Sequence, residues 1–352
     1  MFPVFDGHSD ILLRLYQAPE KREEIWLTGE GKGHLDLPRM RQGGFAGGFF
    51  AIYIPSPEAH DSIDYRELME NPPYTLPLPA LIPDAAALPV AMAMAGQMLW
   101  MERSSGGAVR LVRSVAEIRA CMAAGVIAGI MHLEGAEAIG PDLDALHAFH
   151  AMGLRSVGPV WSRPTVFGHG VPFAFPSSPD TGPGLTPAGK ALVAACNRLR
   201  IMLDLSHLNE AGFMDVARLS DAPLVATHSN AHAITPASRN LTDRQLAMIR
   251  DSGGMVGLNF ATSFLRRDGR QSADMGWEDV MAHLDHLLTH LGEDHVGLGS
   301  DFDGATLPKG IGDVTGLPAL QQAMLDHGFG AALVRKISSE NWLALLERTW
   351  GT

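Results

Sequence analysis

The sequence is poor in cysteine and in basic charge, and it has no long apolar run. Its 352 residues include two cysteines, Cys121 and Cys196, which excludes a disulfide framework and a metal site of paired cysteines. We expect both to be buried thiols in helices. Lysine and arginine number 27 against 39 aspartate and glutamate, a net charge of −12, which makes nucleic acid a poor partner. No apolar run reaches the roughly 18 residues of a membrane-spanning helix.

The composition is that of a globular protein, with 46% hydrophobic and 19% charged residues. The first residues include neither a basic segment nor an apolar one, so we expect no signal peptide, no membrane association and a cytoplasmic location.

Short apolar runs alternate with longer helical patterns along the chain. The runs lie at 2–5, 48–54, 126–133, 155–160, 201–205, 224–226, 255–259 and 296–298. The helical patterns lie at 114–124, 142–152, 186–198, 209–219, 242–251 and 277–291. The runs are almost continuously hydrophobic, which is typical of parallel strands buried on both faces. Eight such strands alternating with helices predict an α/β fold, a single (β/α)8 barrel of the TIM type.

We expect one barrel domain over 1–352, with two additions. An insertion at about 55–114 follows the second strand and contains a helix over 85–103. A helical extension covers about 317–352. A loop rich in glycine, proline and serine at 162–184 follows the fourth strand, and its length predicts that it covers an active site.

Ionisable residues follow five of the eight predicted strands. They are His8, Asp10, Glu134, His207, His228 and Asp301. In a barrel the carboxyl ends of all strands meet in one ring, so these side chains are expected to face one cavity. Three carboxylates and three imidazoles buried together need cations to compensate them. Imidazole and carboxylate ligands suit Zn, Mn, Fe or Co, and six of them suit two ions, with Glu134 able to bridge.

The other histidines are less suited to this ring. We expect His132 to lie one layer deeper in the barrel, and His169 in the long loop to be within possible reach of a substrate. Eight more are predicted to be surface, helix-packing or structural residues: His34, His147, His150, His232, His283, His286, His290 and His295. Arg239 follows the sixth strand and precedes a helix, where it either binds a substrate carboxylate or caps the helix.

Taken together, these motifs resemble the membrane dipeptidase (renal dipeptidase) family of binuclear zinc dipeptidases, within the amidohydrolase-like barrels. The resemblance runs nearly end to end. It rests on Asp-Gly-His-Ser-Asp at 6–10, His-Leu-Asp-Leu-Pro at 34–38, Leu-Glu-Gly at 133–135, Asp-Leu-Ser-His at 204–207, Thr-His-Ser-Asn at 227–230, Ser-Arg-Asn at 238–240 and Gly-Leu-Gly-Ser-Asp-Phe-Asp-Gly at 297–304.

The resemblance implies a fold, a reaction and a role for each residue. Two Zn²⁺ per chain are implied, one bound by His8 and Asp10, the other by His207 and His228, with Glu134 bridging both. The implied reaction is hydrolysis of a dipeptide, with L-Xaa-D-Xaa among the implied substrates, by a water or hydroxide between the ions. Asp301 acts as general base and then acid. The substrate-binding residues implied are Arg239, Asn240, Trp161 and Phe264, with Arg239 holding the C-terminal carboxylate. A homodimer is also implied.

The sequence departs from the family at two positions. Trp161 stands where many members have a substrate-contacting histidine, so oxyanion stabilisation is left to a metal, Arg163 or His169. Phe264 stands where a tyrosine is expected.

Two other functions stay open at this point. One is a metal-dependent amidohydrolase of N-acyl amino acids or cyclic amides, which would not require the free α-amino group of a dipeptide. The other is a non-catalytic, ligand-binding barrel.

Overall fold

Eight parallel strands form a nearly closed barrel in a computed structural model of the chain, which describes residues 1–56 and 65–351. Eleven strands occur in the described ranges: β1 (Val4–Ser9), β2 (Phe45–Tyr53), β3 (Tyr74–Thr75), β4 (Val109–Leu111), β5 (Ile127–Glu134), β6 (Leu154–Val157), β7 (Ala174–Phe175), β8 (Met202–Leu203), β9 (Val225–Ser229), β10 (Met255–Asn259) and β11 (Val296–Gly299). The barrel order is β8-β6-β5-β2-β1-β11-β10-β9, and a parallel bridge between Asp204 and Val225 joins the two ends. All carboxyl ends therefore lie at one end of the barrel.

Helices follow most of the barrel strands. They are α1 (Ile11–Gln17), α2 (Leu37–Gln42), α3 (Tyr65–Glu70), α4 (Asp84–Ser104), α5 (Val115–Ala123), α6 (Asp144–Met152), α7 (Pro187–Leu199), α8 (Glu210–Leu219), α9 (Asp243–Asp251), α10 (Thr262–Leu265), α11 (Trp277–Leu291), α12 (Leu317–Asp326), α13 (Ala331–Arg335) and α14 (Asn341–Trp350). Shorter 3-10 and π turns cover Pro19–Lys21, Val314–Gly316, Glu24–Thr28 and Lys336–Glu340. Within the described residues, no helix combines the length and apolar character needed to span a membrane.

Local sequence accounts for where these elements begin and end. The side chains of Ser114, Thr186, Asn209 and Thr242 each accept a hydrogen bond from a backbone N–H in the first turn of α5, α7, α8 and α9. Every residue of β1, β5, β9, β10 and β11 is buried. Continuous burial explains why the apolar runs in these strands do not alternate with polar residues, the polar ones standing mainly toward the carboxyl ends.

The eight predicted barrel strands and the six predicted helices are confirmed. The insertion contains α3, β3, the predicted long helix as α4, and β4, which was not predicted and pairs in parallel with the first residues of β5. Residues 57–64, part of this insertion, lie outside the described residues. The long loop after β6 contributes β7, which pairs antiparallel with β3. The C-terminal segment is helical, as expected.

Trp342 in α14 packs the C-terminal segment onto the barrel. Its side chain is fully buried, and Nε1 donates a hydrogen bond to the Leu298 carbonyl at 2.9 Å. The strands accommodate the indole because they carry glycine at the contact. A Cβ at Gly7 or Gly297 would lie 2.7 Å from an atom of the Trp342 ring, which is closer than real Cβ contacts. The barrel and its C-terminal helices therefore share one core.

We expect Trp342→Ala to lower the free energy of unfolding by about 3–5 kcal/mol, since it removes a large buried ring and leaves a cavity. Urea unfolding of the metal-loaded protein measures this. Leu219→Ala, at an exposed apolar side chain, is the control and should change it by less than about 0.5 kcal/mol. Equal effects of the two variants would show that Trp342 does not join the segment to the barrel.

Candidate active site

Six ionisable side chains meet at the carboxyl end of the barrel, as the sequence predicted. Three lie on strands and three in the loops that directly follow strands: His8, Glu134 and His228, then Asp10, His207 and Asp301. All are buried except Asp301, which is half-buried. Parallel pairing brings the ends of distant segments together, so residues up to 293 positions apart become neighbours through the strand order and not through local sequence.

Glu134 lies at the centre of the cluster. Its Oε1 is 3.0 Å from His207 Nε2 and 3.5 Å from His228 Nε2, while its Oε2 is 3.5 Å from His8 Nε2. The two oxygens of one carboxylate therefore face two different groups of ligand atoms. This is the arrangement expected of a carboxylate able to bridge two cations.

The donor atoms of the cluster are better arranged to bind a transition metal than to form hydrogen bonds with one another. Ligand atoms of His8, Glu134 and His228 lie within 4.8 Å of one another, and so do those of His8, Asp10 and Asp301. Within the described residues, neither ring nitrogen of buried His8 makes a hydrogen bond. Unpaired buried polar atoms are costly, and mixed imidazole and carboxylate ligands suit Zn, Mn, Fe or Co. The side chains present thus match a metal centre.

The charges around His8 also favour a bound cation. Burial opposes its charge, but the negative charges of Glu134 and Asp10 outweigh burial and raise the pKa of His8 well above its ordinary value. Burial raises the pKa of Asp10 to about 7, although the charge of His8 opposes this rise. The site therefore favours positive charge at the position of His8, which a bound cation would supply.

His207 and His228 are held neutral with Nε2 facing Glu134. Burial and the charge of Arg239 lower the pKa of His207 to about 4. Burial and the charge of His8 lower the pKa of His228 well below its usual range. Their Nε2 atoms are 3.2 Å apart. Neutral imidazole is the form that binds metal, so both rings are suited to act as ligands.

Asp204 sets the orientation of His228 and was not among the predicted site residues. The Thr227 hydroxyl lies 2.6 Å from Asp204 Oδ2 and donates to it, so its oxygen is free to accept from His228 Nδ1 at 2.8 Å. The proton on Nδ1 leaves Nε2 free as a ligand. Burial alone would raise the pKa of Asp204, but His228, His132 and two hydroxyls hold it at about 2. An aspartate at the end of the predicted fifth strand was the available signal.

Ser162 orients His207 in the same way. Its hydroxyl lies 2.9 Å from His207 Nδ1, which leaves Nε2 toward Glu134. Sequence reasoning missed this residue because a serine in a long loop carries no pattern of its own.

Asp301 is held over the cluster by its backbone and by Asn259. Its φ of 61° is in the left-handed region, which aspartate adopts more readily than most residues. Asn259 Nδ2 donates to Asp301 Oδ2 at 3.0 Å, and Asn259 Oδ1 accepts from the Ala261 N–H at 2.6 Å, which fixes the amide orientation. Burial and the charge of Glu134 raise the pKa of Asp301, although His8 and Asn259 oppose the rise. Asn259 was not predicted, though it ends the seventh apolar run.

Arg239 is a buried cation with no carboxylate partner in residues 1–56 and 65–351. Its Nη1 donates to the Ser206 carbonyl and its Nη2 donates to the His228 carbonyl at 3.1 Å, while Nε has no partner among those residues. Burial lowers the pKa of Arg239 to about 10, so it stays charged at neutral pH. It lines the cavity and does not cap a helix.

An open cavity of about 430 Å³ lies above the cluster. Trp161 and Phe264, two predicted substrate-binding residues, line it together with Arg239 and Asp301. Asn240 does not line it. Its amide donates to the Phe264 carbonyl at 2.9 Å, so it supports the cavity wall from behind.

The alternatives for oxyanion stabilisation lie away from the cavity lining. Arg163 is fully buried and forms an ion pair with Glu137 at 2.9 Å. His169 does not line the cavity either. His132 lies beneath the cluster, with its ring 5.6 Å from that of His8 and its Nδ1 2.9 Å from the Ser156 hydroxyl.

Comparisons with known proteins are consistent with a metal-dependent active site in this cavity. The family model described as membrane dipeptidase (peptidase family M19) matches residues 1–350. An uncharacterised protein in the pqqA 5′ region of Klebsiella pneumoniae is 49% identical over 246 residues, which cover 70% of this chain and 91% of that protein. Dipeptidase tcpJ of Claviceps purpurea is 28% identical over 348 residues, covering 97% of this chain and 76% of that protein.

Solved structures of this family superpose on the whole chain. A metallopeptidase from Rhodobacter sphaeroides, liganded with a phosphinate mimic of the dipeptide L-Ala-D-Ala, is 71% identical with a TM-score of 0.98 and 99% coverage of both chains. A dipeptidase described as an M19 metallopeptidase is 70% identical with a TM-score of 0.97, covering 100% of this chain and 99% of its own. The chain belongs to the membrane dipeptidase family, peptidase family M19, and is a metal-dependent hydrolase of dipeptides.

Proposed function

We propose that the chain cleaves dipeptides with a free C-terminal carboxylate, and that it does so with two zinc ions. His8 and Asp10 would hold one ion and His207 and His228 the other, with one oxygen of Glu134 toward each pair. The division of the Glu134 oxygens between the two sides supports this assignment. Zinc bound there would polarise the scissile carbonyl and lower the pKa of water.

Asp301 is the group that moves the proton. It lies beside the cluster, lines the cavity and has a raised pKa, as a base that later acts as an acid requires. The carboxylate takes a proton from the attacking water, whose oxygen stays with the acyl product. It then gives that proton to the amine nitrogen as the C–N bond breaks. Asn259 keeps Asp301 Oδ2 in place during both transfers.

Arg239 carries the assignment to a dipeptide. A buried guanidinium without a carboxylate partner in the described residues, facing the same cavity as the cluster, is completed by an anionic group of the substrate. Its backbone contacts fix its position relative to Glu134 and the histidines. Since one residue separates the scissile bond from the C-terminal carboxylate of a dipeptide, a longer peptide would place its carboxylate beyond Arg239.

We propose L-Xaa-D-Xaa as the substrate class, with small side chains. The Rhodobacter sphaeroides relative is liganded with a mimic of L-Ala-D-Ala, and its chain is 71% identical to this one. Trp161 and Phe264 limit the space around the substrate. Trp161, in place of the histidine of many family members, therefore affects substrate preference and leaves hydrolysis intact.

A cytoplasmic location is supported by the cysteines. Cys121 and Cys196 are buried and unpaired, which is usual for proteins of a reducing compartment. The homodimer implied by the family resemblance stays a prediction.

We expect L-Ala-D-Ala to be cleaved faster than L-Ala-L-Ala, and N-acetyl-D-Ala to be cleaved far more slowly than either. Steady-state kinetics on enzyme of known zinc content measure all three rates. Equal rates on the acetylated compound would show that no free α-amino group is needed, which contradicts the dipeptide assignment and favours an N-acyl amino acid hydrolase.

We expect Asp301→Asn to lower kcat by about 10²- to 10⁴-fold, because the amide neither accepts nor returns the proton. Zinc content and the urea midpoint, measured on the same sample, should remain close to wild type. A variant with normal zinc content and near-normal kcat would exclude Asp301 as the base.

We expect Arg239→Met to lower kcat/KM for L-Ala-D-Ala by roughly 10- to 100-fold, the value of a charged hydrogen-bonded contact. The same variant should lose much less on the C-terminal amide of that dipeptide, which offers no carboxylate. Arg163→Lys is the matched control, a second buried arginine that already has a carboxylate partner. It should leave the ratio of acid to amide rates unchanged. Equal losses of Arg239→Met on both substrates would contradict carboxylate binding.

A further inference from the structure

A second cluster of metal-ligand residues lies on the outer helices, apart from the cavity. His286 and His290 are one turn apart near the end of α11, and Asp243 is the first residue of α9. None of the three lines the cavity. All three are accessible, with side-chain exposures of 16%, 32% and 50% for His286, His290 and Asp243.

The two imidazoles converge on one carboxylate. His286 Nε2 lies 2.7 Å from Asp243 Oδ1, and His290 Nε2 lies 3.9 Å from Asp243 Oδ2. The two rings stack with centroids 4.2 Å apart and an angle of 23° between their planes. One ligand atom of each residue lies within 4.8 Å of the other two. Residues four apart on a helix share a face, so this convergence is built into the helix spacing.

Asp243 is in hydrogen-bond contact with one of the two imidazoles, and a cation would replace that contact. Only His286 is close enough to Asp243 for a hydrogen bond, and the distance to His290 is too long for one. An ion between the three groups would take Nε2 of both rings and an oxygen of Asp243. Two imidazoles and one carboxylate select zinc, nickel, cobalt or copper, whereas magnesium and calcium prefer all-oxygen sites.

We propose that Asp243, His286 and His290 form a separate, solvent-accessible binding site for a divalent transition-metal ion such as Zn²⁺. Two arginines of α9 have acidic partners of their own: Arg244 lies 3.8 Å from Glu210, and Arg250 lies 2.8 Å from Asp251, although Arg250 also donates to the His290 carbonyl at 3.3 Å. The carboxyl end of α11 adds partial negative charge beside His290.

A bound ion would join two helices that flank the segment containing Arg239. Arg239 lies four residues before Asp243, the first residue of α9. On the other side, His283 of α11 accepts a hydrogen bond from the Ala231 N–H at 3.1 Å, and its Nε2 lies 3.2 Å from the Thr235 hydroxyl. The ion would therefore stabilise the folded protein through a link between α9 and α11 that does not involve the active site.

Zinc binding to the holoenzyme tests the proposal. Enzyme already loaded at its active site is dialysed against Zn²⁺ at a fixed, buffered micromolar concentration, and bound zinc is counted. We expect His286→Ala/His290→Ala to bind one zinc per chain fewer than wild type, with unchanged kcat on a dipeptide. His327→Ala is the matched control because His327 forms a surface pair with Asp285 of the same helix at 2.9 Å but has a single imidazole. It should bind as much zinc as wild type.

A single variant keeps the test independent of folding. His290→Gln leaves the contact between His286 and Asp243 in place, and we expect its zinc affinity at this site to fall at least about tenfold. Zinc should also raise the melting temperature of the wild type and of His327→Ala above that of the double variant, and Mg²⁺ should not. Equal zinc content in wild type and double variant would overturn the proposal. A parallel loss of zinc and kcat would also overturn it, because the lost ion would then be an active-site ion.

Discussion

Compensation of buried charge at the carboxyl end of the barrel is the constraint on which the rest of the structure depends. Glu134 faces three imidazoles, and buried Asp10 and half-buried Asp301 lie beside them. Charges in such a place are tolerated only with partners close by. The pKa values of the cluster move in opposite directions for this reason, up for His8 and Asp10 and down for Glu134 and His228. In the proposed function, metal ions and the carboxylate of the substrate would complete the balance.

Buried aspartates also join neighbouring strand ends at two places in the barrel. Asp6 of β1 accepts hydrogen bonds from the Ser300 N–H at 2.7 Å and the Ser300 hydroxyl at 2.6 Å, which joins β1 to the end of β11. Asp204 accepts from the Thr227 N–H at 2.8 Å and the Thr227 hydroxyl at 2.6 Å, which joins the end of β8 to β9. Each aspartate fixes the relative height of two strands that carry site residues. The position of the proposed metal ligands therefore depends on hydrogen bonds made by two aspartates that are not themselves among those proposed ligands.

The sequence predicted the residues whose position follows from a strand. His8, Glu134 and His228 follow shortly after apolar runs that form buried strands, so the rule that strand carboxyl ends meet at one end of a barrel was enough to bring them together. The sequence did not reveal that Asn259, Asp204 and Ser162 position the site residues, because each acts through a hydrogen bond whose partner comes from elsewhere in the chain. Asn240 shows the converse. Its neighbour Arg239 lines the cavity, whereas the Asn240 side chain points into the protein. Only the tertiary structure decides which of these two side chains faces the cavity.

The pairing of β3 with β7 has a consequence for how this site can change. The two strands belong to loops that follow different barrel strands, and the bond from the Leu76 N–H to the Phe173 carbonyl at 2.8 Å continues their pairing. Leu76 and Phe173 both line the cavity. A change of length in one loop would break its register with the other, so neither can vary freely. The substrate pocket is therefore expected to diversify through single side-chain replacements, while the two paired loops that line it keep the same backbone shape.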